Sequence, residues 1–120
     1  LLANLPADLW REKRKRNFMT LHEALTSAPG LTVLVPEEEG CPFSALLLFD
    51  EPDRRDRVRE VLIRNACYPA VLWPLDDVAL DGVPDAHRLL ATRSLSVHCD
   101  MRYGAQDMVR VAALIREAVS

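Results

Sequence analysis

Four residues able to carry chemistry crowd the end of one short alternating segment: His98, Asp100, Arg102 and Tyr103, in "SLSVHCDMRYGAQDM" at 94–108. An arginine just past a strand presents a planar fork that can grip a carboxylate or phosphate through two parallel hydrogen bonds. The same fork can instead be taken up inside the protein, by Asp100 or Asp107. Tyr103 can stack on a sugar or base, or it can pack as a lid ahead of the helix that Gly104 introduces. Histidine is the side chain that changes charge near neutral pH, so His98 is either a proton-exchanging group beside a cleft or a half-exposed strand residue. Arg102, Tyr103 and His98 are therefore the candidate substrate-binding residues.

Other chemistry is thinly represented. His22, His87 and His98 have no short mutual spacing, and Cys41, Cys67 and Cys99 form no close pair, so no metal site and no redox motif is expected. The chain has only two lysines, Lys13 and Lys15, both inside the basic run "REKRKR" at 11–16, which carries five basic residues against one Glu. That run reads as a solvated helix face or as a face made to meet another part of a larger protein. It holds no aromatic residues, and the formal net charge of the whole chain is −3, so nucleic acid is not expected as a partner. Tyr68 and Trp73, in "YPAVLWP", either line a domain interface or substrate mouth or simply pack at an edge. No catalytic residue is assigned.

The elements that must position these residues follow from periodicity. Phe18, Leu21, Leu25 and Ala28 recur at three- and four-residue spacing, which predicts a helix from Pro6 to about Ala28, ended by "SAPG". Only Leu9 and Trp10 are apolar in its basic first half, so that half should dock less tightly. "LTVLVP" at 31–36 and "CPFSALLLFD" at 41–50 read as adjacent strands separated by the acidic turn "EEEG". Val58, Val61, Leu62 and Ala66 or Cys67 make an apolar stripe on a second helix over 53–67. "YPAVLWP" reads as a short third strand at an edge, because of its prolines, and "DAHRLLAT" as a short helix after an irregular loop. In "SLSVHC", Leu95, Val97 and Cys99 share one face and Ser94, Ser96 and His98 the other. A last helix from about Ala105 carries Met108, Val111, Ile115 and Val119.

This order describes a single α/β domain over residues 1–120: a two-layer α/β sandwich, with a small, mostly antiparallel sheet and helices on one face. At 120 residues, with 49% hydrophobic and 28% charged residues, one core is expected, burying roughly 60% or more of the unfolded surface. No apolar run approaches the roughly 20 residues needed to span a bilayer, so no membrane is expected. The opening "LLANLPADLW" has neither an initiator Met nor the pattern of a secretory signal, which suggests a trimmed chain or a fragment. An odd number of cysteines without such a signal points to free thiols and a cytoplasmic location.

Three blocks in order, "REKRKRNFMTLHEALTSAPGLTVLVP", "PFSALLLFDEPDRRDRVREVLIRNACYPAVLWPL" and "SLSVHCDMRYGAQDMVRVAALIREAV", cover nearly the whole chain. Together they resemble the C-terminal small domain of a fold-type-I, pyridoxal-phosphate-dependent aminotransferase, most similar to the DegT-type enzymes that act on nucleotide-linked sugars. The resemblance implies an upstream large domain, missing here, whose lysine forms a Schiff base with pyridoxal phosphate and whose Asp pairs with the pyridine nitrogen. It implies amino transfer to a keto-sugar or similar carbonyl, with Arg102 at the rim of the cleft, and enzymes of this type commonly form homodimers through the large domain. Lys13 and Lys15 have no strand or Gly-rich phosphate loop beside them, so this chain alone is expected to bind no cofactor and to be inactive. The alternative from a different class is a free-standing protein-interaction or small-ligand-binding module.

Overall fold

The computed structural model describes residues 7–35, 44–72 and 84–120. Helix α1 (Ala7–Leu25) buries Phe18, Leu21 and Leu25 along the predicted stripe, and Asn17 beside them. Its first half is indeed loosely held: Leu9 is 71% exposed. The helix stops at Leu25, short of the expected Ala28. Ala28 precedes Pro29, which steers it away from helical conformations, and its N–H bonds instead to the Leu25 carbonyl at 3.0 Å. Gly30, at φ 67°, then turns the chain into the sheet.

Strands β1 (Leu31–Val33), β2 (Ser44–Phe49) and β3 (Ser94–His98) form one antiparallel sheet in the order β1-β2-β3. The register sets Val33 opposite Leu47, and Leu47 opposite Leu95. Because side chains alternate along a strand, Ala45, Leu47, Phe49, Leu95 and Val97 all reach the core, and Cys99 just beyond β3 is buried with them. The other face of β3 is less uniform than expected. His98 is exposed, but Ser96 is buried.

The expected strand at "YPAVLWP" is a single bridge. Ala70 and Ser96 exchange both backbone hydrogen bonds, at 2.8 and 2.9 Å, and no strand is formed among the described residues of the segment. Pro69 has no N–H with which to extend the ladder. Trp73 and Pro74 lie outside the described residues.

Helix α2 (Pro52–Arg64) begins with proline in its first turn, where a missing N–H is harmless. It buries Val58 and Leu62 and ends before Cys67, as Ala66 takes a left-handed conformation at φ 61°. The Cys67 N–H then closes on the Leu62 carbonyl at 2.8 Å, the hydrogen bond of a helix terminator that normally uses glycine. Helix α3 (Asp85–Arg93) runs straight into β3. Helix α4 (Ala105–Val119) buries Met108, Val111, Ala112, Ile115 and Val119, the predicted stripe with Ala112 added.

Helices α1 and α2 each pack against α4, and the helices share the buried face of the sheet, giving the expected two-layer α/β arrangement. Three arginines fasten helix ends across the fold. Arg116 donates to the Ala24 carbonyl near the end of α1 (2.8 Å), Arg110 to the Asn65 carbonyl after α2 (2.8 Å), and Arg55 to the Ala91 and Ser94 carbonyls at the end of α3 (3.3 and 3.2 Å). Each cation meets carbonyls that have no partner within their helix, at the negative end of its dipole.

Candidate functional site

A cleft of about 400 Å³ opens where the turn after α2, the end of β3 and the start of α4 converge. Tyr68, His98, Arg102, Tyr103 and Arg110 line it, over a floor that includes Val97 and Met108. The three predicted binding residues thus share one cavity, and Tyr68, contributed by a different segment, joins them. Tyr68 is largely exposed, whereas Tyr103 is partly buried against the core.

Local geometry explains how Arg102 is held. Asp100 sits at the bend after β3, and its Oδ1 accepts the backbone N–H of Arg102 at 3.0 Å. The guanidinium then folds back over the same carboxylate, with Nε to Oδ1 at 2.9 Å and Nη2 to Oδ2 at 2.8 Å. Arg102 is thus locked to Asp100 without being covered: its side chain is 65% exposed and that of Asp100 only 12%. Arg102 also lies 5.4 Å from the Tyr103 ring centroid, within range of the ring's negative face. Asp107 is not a partner of this arginine. Its Oδ2 accepts the Gly104 N–H at 2.9 Å, closing the first turn of α4.

The pairing sets the charge states. Hydrogen bonds from Arg102 hold the Asp100 carboxyl below the usual carboxylate range, against a burial effect that acts the other way. The same carboxylate raises the already high pKa of Arg102. At neutral pH the rim is therefore a neutralised ion pair whose outward edge still carries guanidinium N–H donors.

Arg110 brings a second cation to the cleft. Its Nη1 lies 3.3 Å from the Cys67 sulfur while Nη2 holds the Asn65 carbonyl. Neither Arg110 nor Asn17 stands out as a site residue by sequence pattern. Asn17 donates to the carbonyls of Cys99, Asp100 and Tyr103 at 3.2, 3.1 and 2.9 Å. The available signal was a lone amide in the apolar stripe of α1.

His22, His87 and His98 lie on α1, α3 and β3, and among the described residues no group of three His, Cys, Asp or Glu side chains could hold a metal ion. Lys13 and Lys15 are both on α1, and neither lines the cleft. The backbone N–H at Gly104, ahead of α4, is already bonded to Asp107. The residues around the cleft therefore do not suit pyridoxal phosphate, which needs a lysine and a phosphate cradle. Among the described residues no helix is long and apolar enough to cross a membrane.

No protein-family model and no curated protein sequence matches the chain. Solved structures do. The aminotransferase TlmJ from Streptoalloteichus hindustanus is similar over 90% of this chain and 31% of its own, with TM-score 0.78 and 16% identity. DesI, solved in the presence of its TDP-sugar product, is 26% identical, with TM-score 0.75, over 93% of this chain and 32% of its own. Helicobacter pylori PseC, an aminotransferase involved in the biosynthesis of pseudoaminic acid, gives TM-score 0.81 at 12% identity over 94% of this chain and 33% of its own. The chain spans about a third of the length of these structures.

Proposed function

We propose that this chain, which fits a C-terminal fragment of a DegT-type aminotransferase, is the small domain of a protein that transfers an amino group to a keto-sugar or similar carbonyl. In this reading the domain closes over the substrate side of a cleft completed by a large upstream domain, and it helps to exclude water there. Pyridoxal phosphate, the electron sink for amino transfer, and the lysine that holds it belong to that other domain. A homodimer built through the large domain and a cytoplasmic location belong to the same reading.

Within the cleft, the outward donors of Arg102 hold a carboxylate, phosphate or sugar oxygen. Tyr103 and Tyr68 offer ring faces to a sugar or base, and His98 lies at the same rim as a further polar contact. One observation carries the reading. Residues with binding chemistry from two segments, 68 and 98–103, gather on one cavity in a chain folded like about a third of the sugar aminotransferase CalS13 from Micromonospora echinospora.

The test is made on the protein from the complete reading frame. Arg102→Lys keeps a charge over Asp100 but loses the planar fork. Turnover should fall about tenfold, equivalent to ~1.4 kcal/mol of transition-state stabilisation, with the melting temperature nearly unchanged. Unchanged turnover together with a lower melting temperature would identify a purely structural clamp. A reading frame with no upstream lysine-bearing domain would leave the interaction module as the better account.

A further inference from the structure

We infer that Asn17 is a positioning residue for the Arg102 rim: its side-chain amide pins the Cys99–Tyr103 turn to α1 and so fixes where the guanidinium stands over the cleft. The inference rests on the proposed reading only in taking the cleft to face substrate.

Asn17 is 1% exposed, on the same helical stripe as Leu21 and Leu25. A leucine there would continue the apolar face. Instead, one amide nitrogen meets three backbone oxygens, those of Cys99, Asp100 and Tyr103, within 3.2 Å. An NH2 group has two protons, so at least one of them is shared between carbonyls. Three carbonyls can converge on one nitrogen only if the chain doubles back tightly around it. The shape of the turn and the amide at position 17 therefore require each other.

Inside that turn, Asp100 links the Asn17 contact to Arg102. The Tyr103 N–H closes on the Asp100 carbonyl at 3.1 Å, and the Asp100 carboxylate holds the Arg102 backbone and guanidinium. Asp100 is thus fixed on its carbonyl by Asn17 and on its carboxylate by Arg102. Removing the amide takes one donor from each of the three carbonyls, with the Tyr103 N–H still on that of Asp100, and unties the turn from α1. The ion pair then loses the frame that makes it bidentate.

The first arm of the test uses this chain. In Asn17→Ala, carboxyl NMR should show the Asp100 titration moving up, toward the ordinary carboxylate range, as the paired geometry relaxes. The Arg102 Nε–H signal should broaden, while methyl signals of Leu47 and Ile115 keep their positions. Asn17→Ser, with a single hydroxyl donor, should lie between the two and serves if the alanine variant does not fold. The unaltered chain gives an independent reading: the Asn17 side-chain amide protons should exchange as slowly as core amides. An unmoved Asp100 titration in a folded variant, or fast exchange of that amide, overturns the inference.

The second arm uses the protein from the complete reading frame. Asn17→Ala should lower turnover about tenfold, with little further loss when combined with Arg102→Lys, because both changes act through one group. A displaced Arg102 with full turnover would overturn the substrate-facing role and leave the clamp standing. The two failures are therefore distinct.

Discussion

Arg102 grips both carboxylate oxygens of Asp100, at 2.9 and 2.8 Å, while leaving most of its own side chain in solvent. The pair has one buried member and one exposed member. The carboxylate keeps the guanidinium in place, and the exposed edge remains available to a ligand.

The pair gives a pH dependence of defined sign. The folded-state pKa of Asp100 is lowered, so its contribution to stability is complete above the unfolded value, near 3.9, and is lost as pH falls through the lower folded value. Acid unfolding followed by circular dichroism should therefore begin at higher pH in Asp100→Asn than in the parent chain, the variant being the less stable above about pH 4 and the difference narrowing below it. Superimposable acid transitions would count against the pairing.

Two backbone positions should respond in opposite directions. A Cβ at Gly30 would collide with Arg54 Nη1 and lie 2.8 Å from Asp50 Oδ1, at a φ of 67°. Gly30→Ala must strain the turn and also displace the Arg54 guanidinium from the Pro29 carbonyl. A loss of about 1–3 kcal/mol is expected in urea denaturation. Ala66 already occupies the left-handed region, so Ala66→Gly should stabilise by roughly 0.5–1 kcal/mol.

Core and periphery should separate clearly on one scale. Leu47, fully buried in the central strand, should cost about 3 kcal/mol as Leu47→Ala, by lost burial plus a cavity. Leu9→Ala, on the exposed first half of α1, should cost under about 0.5 kcal/mol. Equal losses would mean that the first half of α1 is docked more firmly than its exposure indicates.

Added pyridoxal phosphate should give this chain no saturable visible absorbance band. Its two lysines are on α1, and neither lines the cleft. A stoichiometric band abolished by Lys13→Ala or Lys15→Ala would refute that assignment.

Local periodicity was enough to read the elements and their buried faces. Phe18, Leu21 and Leu25 on α1, Leu95 and Val97 on β3, and Met108, Val111, Ile115 and Val119 on α4 are all buried as their spacing demanded. That information is local, because helical and strand repeats fix which side of an element is apolar before any partner is known. Prolines at 29 and 69 set limits that periodicity alone overran. The α1 helix ends early, and "YPAVLWP" contributes one bridge where a strand was expected.

The cluster at 98–103 was visible as residue types, but its state was not. Sequence allowed Arg102 to pair with Asp100, with Asp107 or with a ligand. Only the bend after β3, which turns the carboxylate of Asp100 back toward residue 102, decided for Asp100. Arg110 and Tyr68 entered the cleft because the end of α2 and the start of α4 meet in space. Asn17 is the extreme case, since its three acceptors lie 82–86 residues away in the chain. A hydrogen bond of that span leaves no periodic trace in the sequence. It exists only once α1 and the turn after β3 have been packed together.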